Sequence, residues 1–293
     1  MAQSYSLHLG LNSVDPAHYQ GWDGQLRACE ADANDMAAIA RSLNYGQTTV
    51  LLTRDATARR VIDTVVQLSR TLRPGDLLLL TYSGHGGQVP DIAGGDEPDG
   101  RDETWCLYDR QLLDDEIYRL IGLFQPGVRI MALSDSCHSG SVLREQREAG
   151  LPSALDMARR AADVAGLDPD DAQTLREGVG RAAPFEITRD AYRQHADLYR
   201  AIQAAATGAK QAAPQAEAIL ISGCQDNQVS LDGVRNGLFT ANLKRVWGDG
   251  RFTGGYPLFH RRIASRMPPS QTPNLFRIGA ISTAFLNQTP FKA

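Results

Sequence analysis

Asp76-Leu77-Leu78-Leu79-Leu80-Thr81-Tyr82, running straight into Ser83-Gly84-His85-Gly86-Gly87, decides the reading of this chain. An apolar run with no polar alternation is the pattern of a strand buried on both faces of a parallel sheet. The same arrangement recurs downstream. Val128 to Leu133 is a second buried strand, and it opens into Ser134-Asp135-Ser136-Cys137-His138-Ser139-Gly140-Ser141.

Outward from these two strands the first 140 residues alternate strand and helix signals. Tyr5 to Gly10 and Thr49 to Leu52 are short strands. Gln25 to Leu43 carries Leu26, Ala33, Met36, Ile39, Ala40 and Leu43 at helical spacing. Asp55 or Thr57 caps a helix through Leu72 that closes at Pro74-Gly75, and Leu113 to Phe124 is another helix. Later in the chain Ala216 to Ser222 and Asn274 to Ile278 read as strands, and Gly237 to Val246 and Pro257 to Met267 as helices. The alternation predicts an α/β fold: a mostly parallel central sheet of about six strands with helices on both faces. Between Ser141 and Gln215 the chain is rich in Ala, Arg, Asp, Glu and Gln, and poor in large apolar residues. That stretch reads as a long exposed insertion, with helix-compatible parts at Pro152 to Ala165 and Asp190 to Ala206.

Ligand sites in open α/β sheets form beyond the carboxyl ends of the strands. His85 and Cys137 each stand on a Gly-bracketed turn at such an end. A thiol attacks as thiolate, and a nearby imidazole supplies that state by taking the proton. The pairing makes Cys137 a candidate nucleophile and His85 its base, with the backbone N–H groups of Gly86 and Cys137 as candidate donors to an oxyanion. His138 is the poorer base, since neighbours on an extended segment point to opposite sides. Cys106 and Cys224 have no comparable setting and read as structural.

The chain has 293 residues, 42% hydrophobic and 22% charged, with a net charge of −4. No basic excess calls for a nucleic-acid partner, and no run approaches the ~20 apolar residues of a membrane helix. The N-terminus lacks the pattern of a secretory signal. The four cysteines, at 29, 106, 137 and 224, are scattered without a CxxC pair, which argues against a zinc site or disulfide framework. A reducing, cytoplasmic location is therefore expected.

Ser83-Gly84-His85-Gly86 and Asp135-Ser136-Cys137-His138-Ser139-Gly140 resemble the two catalytic motifs of metacaspases, in the caspase–hemoglobinase clan. Cys29-Glu30-Ala31-Asp32-Ala33 resembles the family's segment opening the first helix. Gly95-Asp96-Glu97 with Asp99-Gly100-Arg101-Asp102-Glu103 resembles its acidic loop. Ile221-Ser222-Gly223-Cys224-Gln225-Asp226-Asn227-Gln228-Val229-Ser230, Gly237-Leu238-Phe239-Thr240 and Gln271-Thr272-Pro273-Asn274 resemble its small-subunit core. The resemblance implies a caspase-like three-layer sandwich in three parts: residues 1–141 like a large subunit, 142–215 a linker with candidate cleavage sites, and 216–293 like a small subunit.

The family match also implies an acidic pocket formed by Asp32 and Asp135 and lined by Cys29 and Ser83. A buried carboxylate facing a guanidinium or ammonium selects basic residues, so a cysteine endopeptidase cutting after Arg, then Lys, is expected. Arg27 is close in sequence but is expected to face solvent. Calcium is a candidate cofactor, with Asp102, Glu103, Asp114 and Asp115 in the family's metal positions, whereas Arg144 would oppose it unless Glu145 substitutes. No organic cofactor is implied. The linker arginines Arg144, Arg147, Arg159, Arg160, Arg176, Arg181 and Arg189 are candidate sites for self-cleavage or for an activating protease. Partners are then protein or peptide substrates carrying Arg or Lys, with neither nucleic acid nor membrane, and the chain is expected to act as a monomer. The rival readings are a catalytically silent scaffold and a caspase-like peptidase selecting Asp or Asn.

Overall fold

The computed structural model describes residues 2–90, 101–137, 154–162, 168–207, 214–225 and 228–293. Its centre is a six-stranded sheet in the order β11-β9-β7-β3-β1-β2, formed by Ser4–Gly10 (β1), Gln47–Leu52 (β2), Leu77–Ser83 (β3), Arg129–Asp135 (β7), Glu217–Ser222 (β9) and Asn274–Ile278 (β11). All neighbours are parallel except β11, which runs antiparallel to β9. The expected strand count and sheet type are both met.

Side chains alternate across this sheet because successive Cβ atoms point to opposite faces. Leu78, Leu80 and Tyr82 of β3 join Leu7 and Leu9 against Val61, Val65 and Leu68 of the helix Ala58–Thr71 (α2) and Ile121 of Asp114–Gly122 (α3). Leu77 and Leu79 face the other way, with Met131, Leu133, Ile219 and Ile221. There they pack against Met36 of Cys29–Ser42 (α1) and the apolar faces of two later helices, with Phe239, Leu243 and Trp247 on one and Phe259 and Ile263 on the other. The clean apolar run of β3 is thus explained: both of its faces are core.

Among the boundaries that differ, two have a side-chain cause. The first helix begins at Cys29 rather than Gln25, because Asn12 Oδ1 accepts from Cys29 N–H (3.0 Å) and Glu30 N–H (3.3 Å) and so caps it from outside. The helix expected from Leu113 begins at Asp114, where Glu116 reaches back to accept from Leu113 N–H at 3.2 Å and pairs with Arg110 at 2.7 Å. Residues 86–113 also hold a three-stranded antiparallel sheet that the sequence reading lacked: Gly86–Pro90 (β4), Arg101–Cys106 (β5) and Gln111–Leu113 (β6). Its first strand opens with two glycines, which carry no strand signal.

The stretch read as an exposed linker is, where described, packed onto the body. It forms helices Ala154–Ala161 (α4), Pro169–Glu177 (α5), Phe185–Gln194 (α6) and Ala196–Thr207 (α7), with a short strand Val179–Gly180 (β8) between α5 and α6. It docks through a few buried apolar residues, Leu175 against Leu231 and Leu238 and Tyr192 and Tyr199 against Val89 and Leu113, and through polar contacts. Arg245, on Leu238–Trp247 (α8), holds Asp171 at 2.7 Å and Asp168 at 2.8 Å. Gln111 donates to Thr188 O at 3.2 Å, Gln203 donates to Asp102 at 2.7 Å, and the His18 and His195 rings stack 4.3 Å apart. The segments around Arg144, Glu145 and Arg147, and around Gly95 to Gly100, lie outside the described residues.

Removing the outside cap should be visible in stability. Asn12→Ala strips the acceptor from two helix N–H groups and should cost about 1 kcal/mol in a denaturant titration; an unchanged midpoint would show that water replaces it at no loss.

Candidate active site

The ends of β3 and β7 and the starts of α1 and α8 converge at the carboxyl edge of the sheet. At the end of β3, Tyr82 Oη donates to His85 O (2.6 Å) and Cys106 N–H donates to the same carbonyl (2.9 Å), which pins the turn. The His85 ring lies 4.7 Å from that of Trp22, and its Nε2 is 3.0 Å from Gly24 O. A carbonyl only accepts, so Nε2 carries the proton and Nδ1 keeps its lone pair. Nδ1 is buried and, among the described residues, without a partner. Burial lowers the His85 pKa to about 4, against the opposing pull of the Gly24 bond, so the ring is neutral at ordinary pH. Gly24 sits at φ +56°, and a Cβ there would meet Trp22 at 2.8 Å and His85 at 3.1 Å; only glycine permits this approach.

At the end of β7, Cys137 is fully buried. Its thiol donates to Ser230 O at 3.5 Å, accepts from Ser230 N–H and touches the Cys224 side chain. Among the described residues no hydrogen bond joins it to His85. His138 lies outside the described residues.

A piece of the chain itself occupies the cleft between these two residues. Residues 179–183 run extended: β8 pairs antiparallel with Leu231–Asp232 (β10), Arg181 N–H donates to Ser230 O (2.9 Å), and Ala183 N–H donates to Gly86 O (2.8 Å). The Arg181 carbonyl accepts from Gly86 N–H at 2.9 Å and Cys137 N–H at 3.3 Å. Those are the two donors named from sequence for an oxyanion, and each such donor is typically worth ~3 kcal/mol of barrier.

The Arg181 side chain, 0% exposed, fills the acidic pocket. One terminal nitrogen donates to Asp32 (2.7 Å) and Asp232 (2.9 Å). The other reaches Ser83 Oγ (2.8 Å) and Asp135 (2.9 Å). Burial works against this charge, yet Asp135, with Cys29, Asp32 and Asp232, lifts the guanidinium pKa well above its usual value. The carboxylates are themselves held in place. Asp32 accepts from Ser83 Oγ (2.8 Å), Asn236 (2.9 Å) and Gly237 N–H (3.1 Å), and Asp135 accepts from Ser230 Oγ (2.5 Å) and Thr240 Oγ1 (2.7 Å). Gly237 and Thr240 open α8, whose positive N-terminal end suits both acids. Burial raises Asp32 to about 6, with the Arg181 charge opposing.

The structure therefore brings His85, Gly86, Cys137, Asp32, Asp135, Cys29 and Ser83 to one site. Cys29 borders it through its contact with Asp232 at 3.8 Å. Arg27 is exposed, and only its N–H reaches inward, to Asp232 at 2.7 Å. Sequence reading missed Asp232, which carries no motif of its own and reaches the pocket only when β10 pairs with β8. It also missed Gly237's role: a Cβ there would stand 2.6 Å from the guanidinium.

The other predicted cluster forms in part. Ligand atoms of Asp102, Asp114 and Asp115 lie within 4.8 Å of one another, whereas Glu103 is outside that group. Burial, then the charges of Asp102 and Asp115, push Asp114 up to about 8. Three hard carboxylates whose mutual repulsion a cation would relieve fit a calcium ion.

A caspase-domain family model matches residues 14–283. A crystal structure of a protein from Geobacter sulfurreducens superposes with a TM-score of 0.82 at 45% identity, covering 99% of this chain and 98% of that one. Metacaspase-1 of Saccharomyces cerevisiae is 30% identical over 277 residues (83% of this chain, 57% of its own), and Metacaspase-1A of Aspergillus oryzae is 39% identical over 153 residues (47% and 35%). The chain thus spans between about a third and somewhat over half the length of these metacaspases. With fold, strand-end motifs and matched span in agreement, the chain belongs to the caspase-domain family of cysteine peptidases.

Proposed function

We propose that this protein is a cysteine endopeptidase that cuts after Arg, and less readily after Lys, and that residues 154–207 hold it latent until the Arg181–Ala182 bond is cut. The observation that carries the reading is the seating of Arg181: its guanidinium lies among three carboxylates while its carbonyl takes both oxyanion donors. A guanidinium offers its two terminal nitrogens to opposite walls of the pocket, whereas an ammonium is a point charge that cannot span them. The order Arg before Lys follows.

In this mechanism the Cys137 sulfur turns from Ser230 toward the carbonyl carbon, and His85 Nδ1 takes the thiol proton. The thiolate attacks, and the Gly86 and Cys137 N–H groups hold the developing oxyanion. The imidazolium returns its proton to the leaving amine, and water then releases the acyl group with His85 again as base. Asp102, Asp114 and Asp115 would hold calcium, which would supply charge neutralisation where the carboxylates crowd.

Three outcomes test this. Fluorogenic peptides ending in Arg should be cleaved faster than Lys, with Asp and Asn peptides left intact; Cys137→Ala should abolish turnover, and chelator should slow it until Ca²⁺ is restored. Asp232→Ala should lower kcat/KM for Arg by ~10²-fold or more, since breaking a buried charge pair costs about 3–5 kcal/mol. Cleavage of Asp or Asn peptides, or of none, would sink the specificity.

On storage, the wild type should yield two associated fragments that meet between Arg181 and Ala182. Neither Cys137→Ala nor Arg181→Gln should show them, and fragments ending at exposed Arg159 instead would refute the assignment.

The third outcome is a pH profile. Asp32 loses its charge as pH falls through about 6, while His85 stays neutral down to about 4. KM for an Arg peptide should therefore rise below pH ~6 with kcat held until lower pH; a kcat that falls first would assign the acid limb to the base.

A further inference from the structure

The Cys137 sulfur rests beside a second sulfur that the mechanism does not use. β7 and β9 pair in parallel with Ser134 opposite Ser222, and Gly223 N–H continues the ladder to Ser134 O at 2.8 Å. Continued by two residues, that register sets Cys224 beside Ser136, the residue before Cys137. Its thiol donates to Ser136 O at 3.4 Å, one residue from Cys137, and its side chain interacts with that of Cys137. Strands ~4.8 Å apart with a one-residue offset of ~3.3 Å set the Cα atoms of Cys137 and Cys224 roughly 6 Å apart, inside the Cα spacing of about 4.4–6.8 Å that a disulfide spans. Both cysteines are free and buried in one apolar cluster with Leu175, Val229 and Leu238. Contact with Cys137, then burial, holds the Cys224 pKa well above an ordinary thiol, so Cys224 is no nucleophile on its own.

We propose that Cys137 and Cys224 form a reversible disulfide when the enzyme meets a hydroperoxide, locking the nucleophile in its resting position; the lock rests on Cys137 being that nucleophile. The Cys137 thiolate, its proton given to His85, attacks the distal peroxide oxygen. An S–O bond forms, the O–O bond breaks, and the alcohol or water leaves with a proton, giving a sulfenic acid. The Cys224 sulfur then attacks the sulfenic sulfur, so that S–S forms, S–O breaks, and hydroxide leaves with the Cys224 proton as water. Two thiols are oxidised by two electrons and one peroxide is reduced. The bridge keeps the Cys137 sulfur away from His85 Nδ1 and the Arg181 carbonyl. It also diverts the sulfenic acid from irreversible sulfinic acid. Disulfides in reducing compartments are usually transient devices of this kind.

The test treats intact and linker-cleaved wild type, Cys224→Ser, Cys224→Ala and Cys106→Ser with hydrogen peroxide. Non-reducing peptide mass mapping and peptidase activity before and after dithiothreitol are then read. In wild type and Cys106→Ser the peptides carrying Cys137 and Cys224 should be linked with loss of two hydrogens, and dithiothreitol should restore most of the lost activity. In both Cys224 variants, checked for an unchanged thermal midpoint, Cys137 should pass to sulfinic acid and stay inactive. Three results would each overturn the lock: wild type reaching sulfinic acid as fast as the variants, Cys137 linked elsewhere, or both thiols still reduced in the linker-cleaved enzyme. Linkage is read by mass, so a chain that cleaves no peptide yet forms the bridge would sink the peptidase reading instead.

Discussion

Three carboxylates closing on the Arg181 guanidinium, the one cation they pair with among the described residues, are the constraint around which the active edge is organised. Each comes from a different element: Asp32 from the first turn of α1, Asp135 from the last residue of β7, Asp232 from β10. A buried carboxylate without a cation is costly, and here three would repel one another as well. The pocket is therefore stable only when a cation occupies it or when water enters. On the proposed function, that requirement links specificity to latency. A site shaped to demand a substrate guanidinium will accept one from its own chain, at an effective concentration no free substrate reaches.

The parallel sheet was legible because a strand buried on both faces must be apolar throughout, and β3 and β7 are. The motifs at their ends were legible because His85, Gly86 and Cys137 each follow such a strand within a few residues. Asp32 and Asp135 came from the resemblance, not from periodicity. What stayed hidden was the closure of the pocket. Arg181 bonds Asp32 across 149 positions and Asp232 across 51, and no local pattern records such a pairing.

The linker misled for a related reason. Its scarcity of large apolar residues read as exposure, on the premise that segments dock by burying apolar area. This one docks with only a few apolar anchors, Leu175, Tyr192 and Tyr199 among them, and otherwise by Arg245 on Asp168 and Asp171, by Gln111 on Thr188 O, and by Arg181 itself. Docking that combines few apolar anchors with charge and hydrogen bonds leaves a composition close to that of a solvated loop, and its ionic part is more easily weakened by salt than an apolar core.

The resting thiol alone makes a weak brake. A hydrogen bond from Ser230 N–H is worth about 1 kcal/mol net, which slows the turn toward His85 by only about fivefold. The stronger brake lies on the leaving side. Ala183 N–H is held by Gly86 O, and α6 and α7 are fastened through Thr188 and Gln203. If the Arg181–Ala182 bond is cut, the new amine of Ala182 stays beside the acyl-enzyme and water is kept out, so the amine re-forms the bond faster than water completes the reaction. Cleavage becomes net only when residues 182–207 let go. In the proposed mechanism latency is set less by how fast the thiol attacks than by how long the leaving segment remains docked.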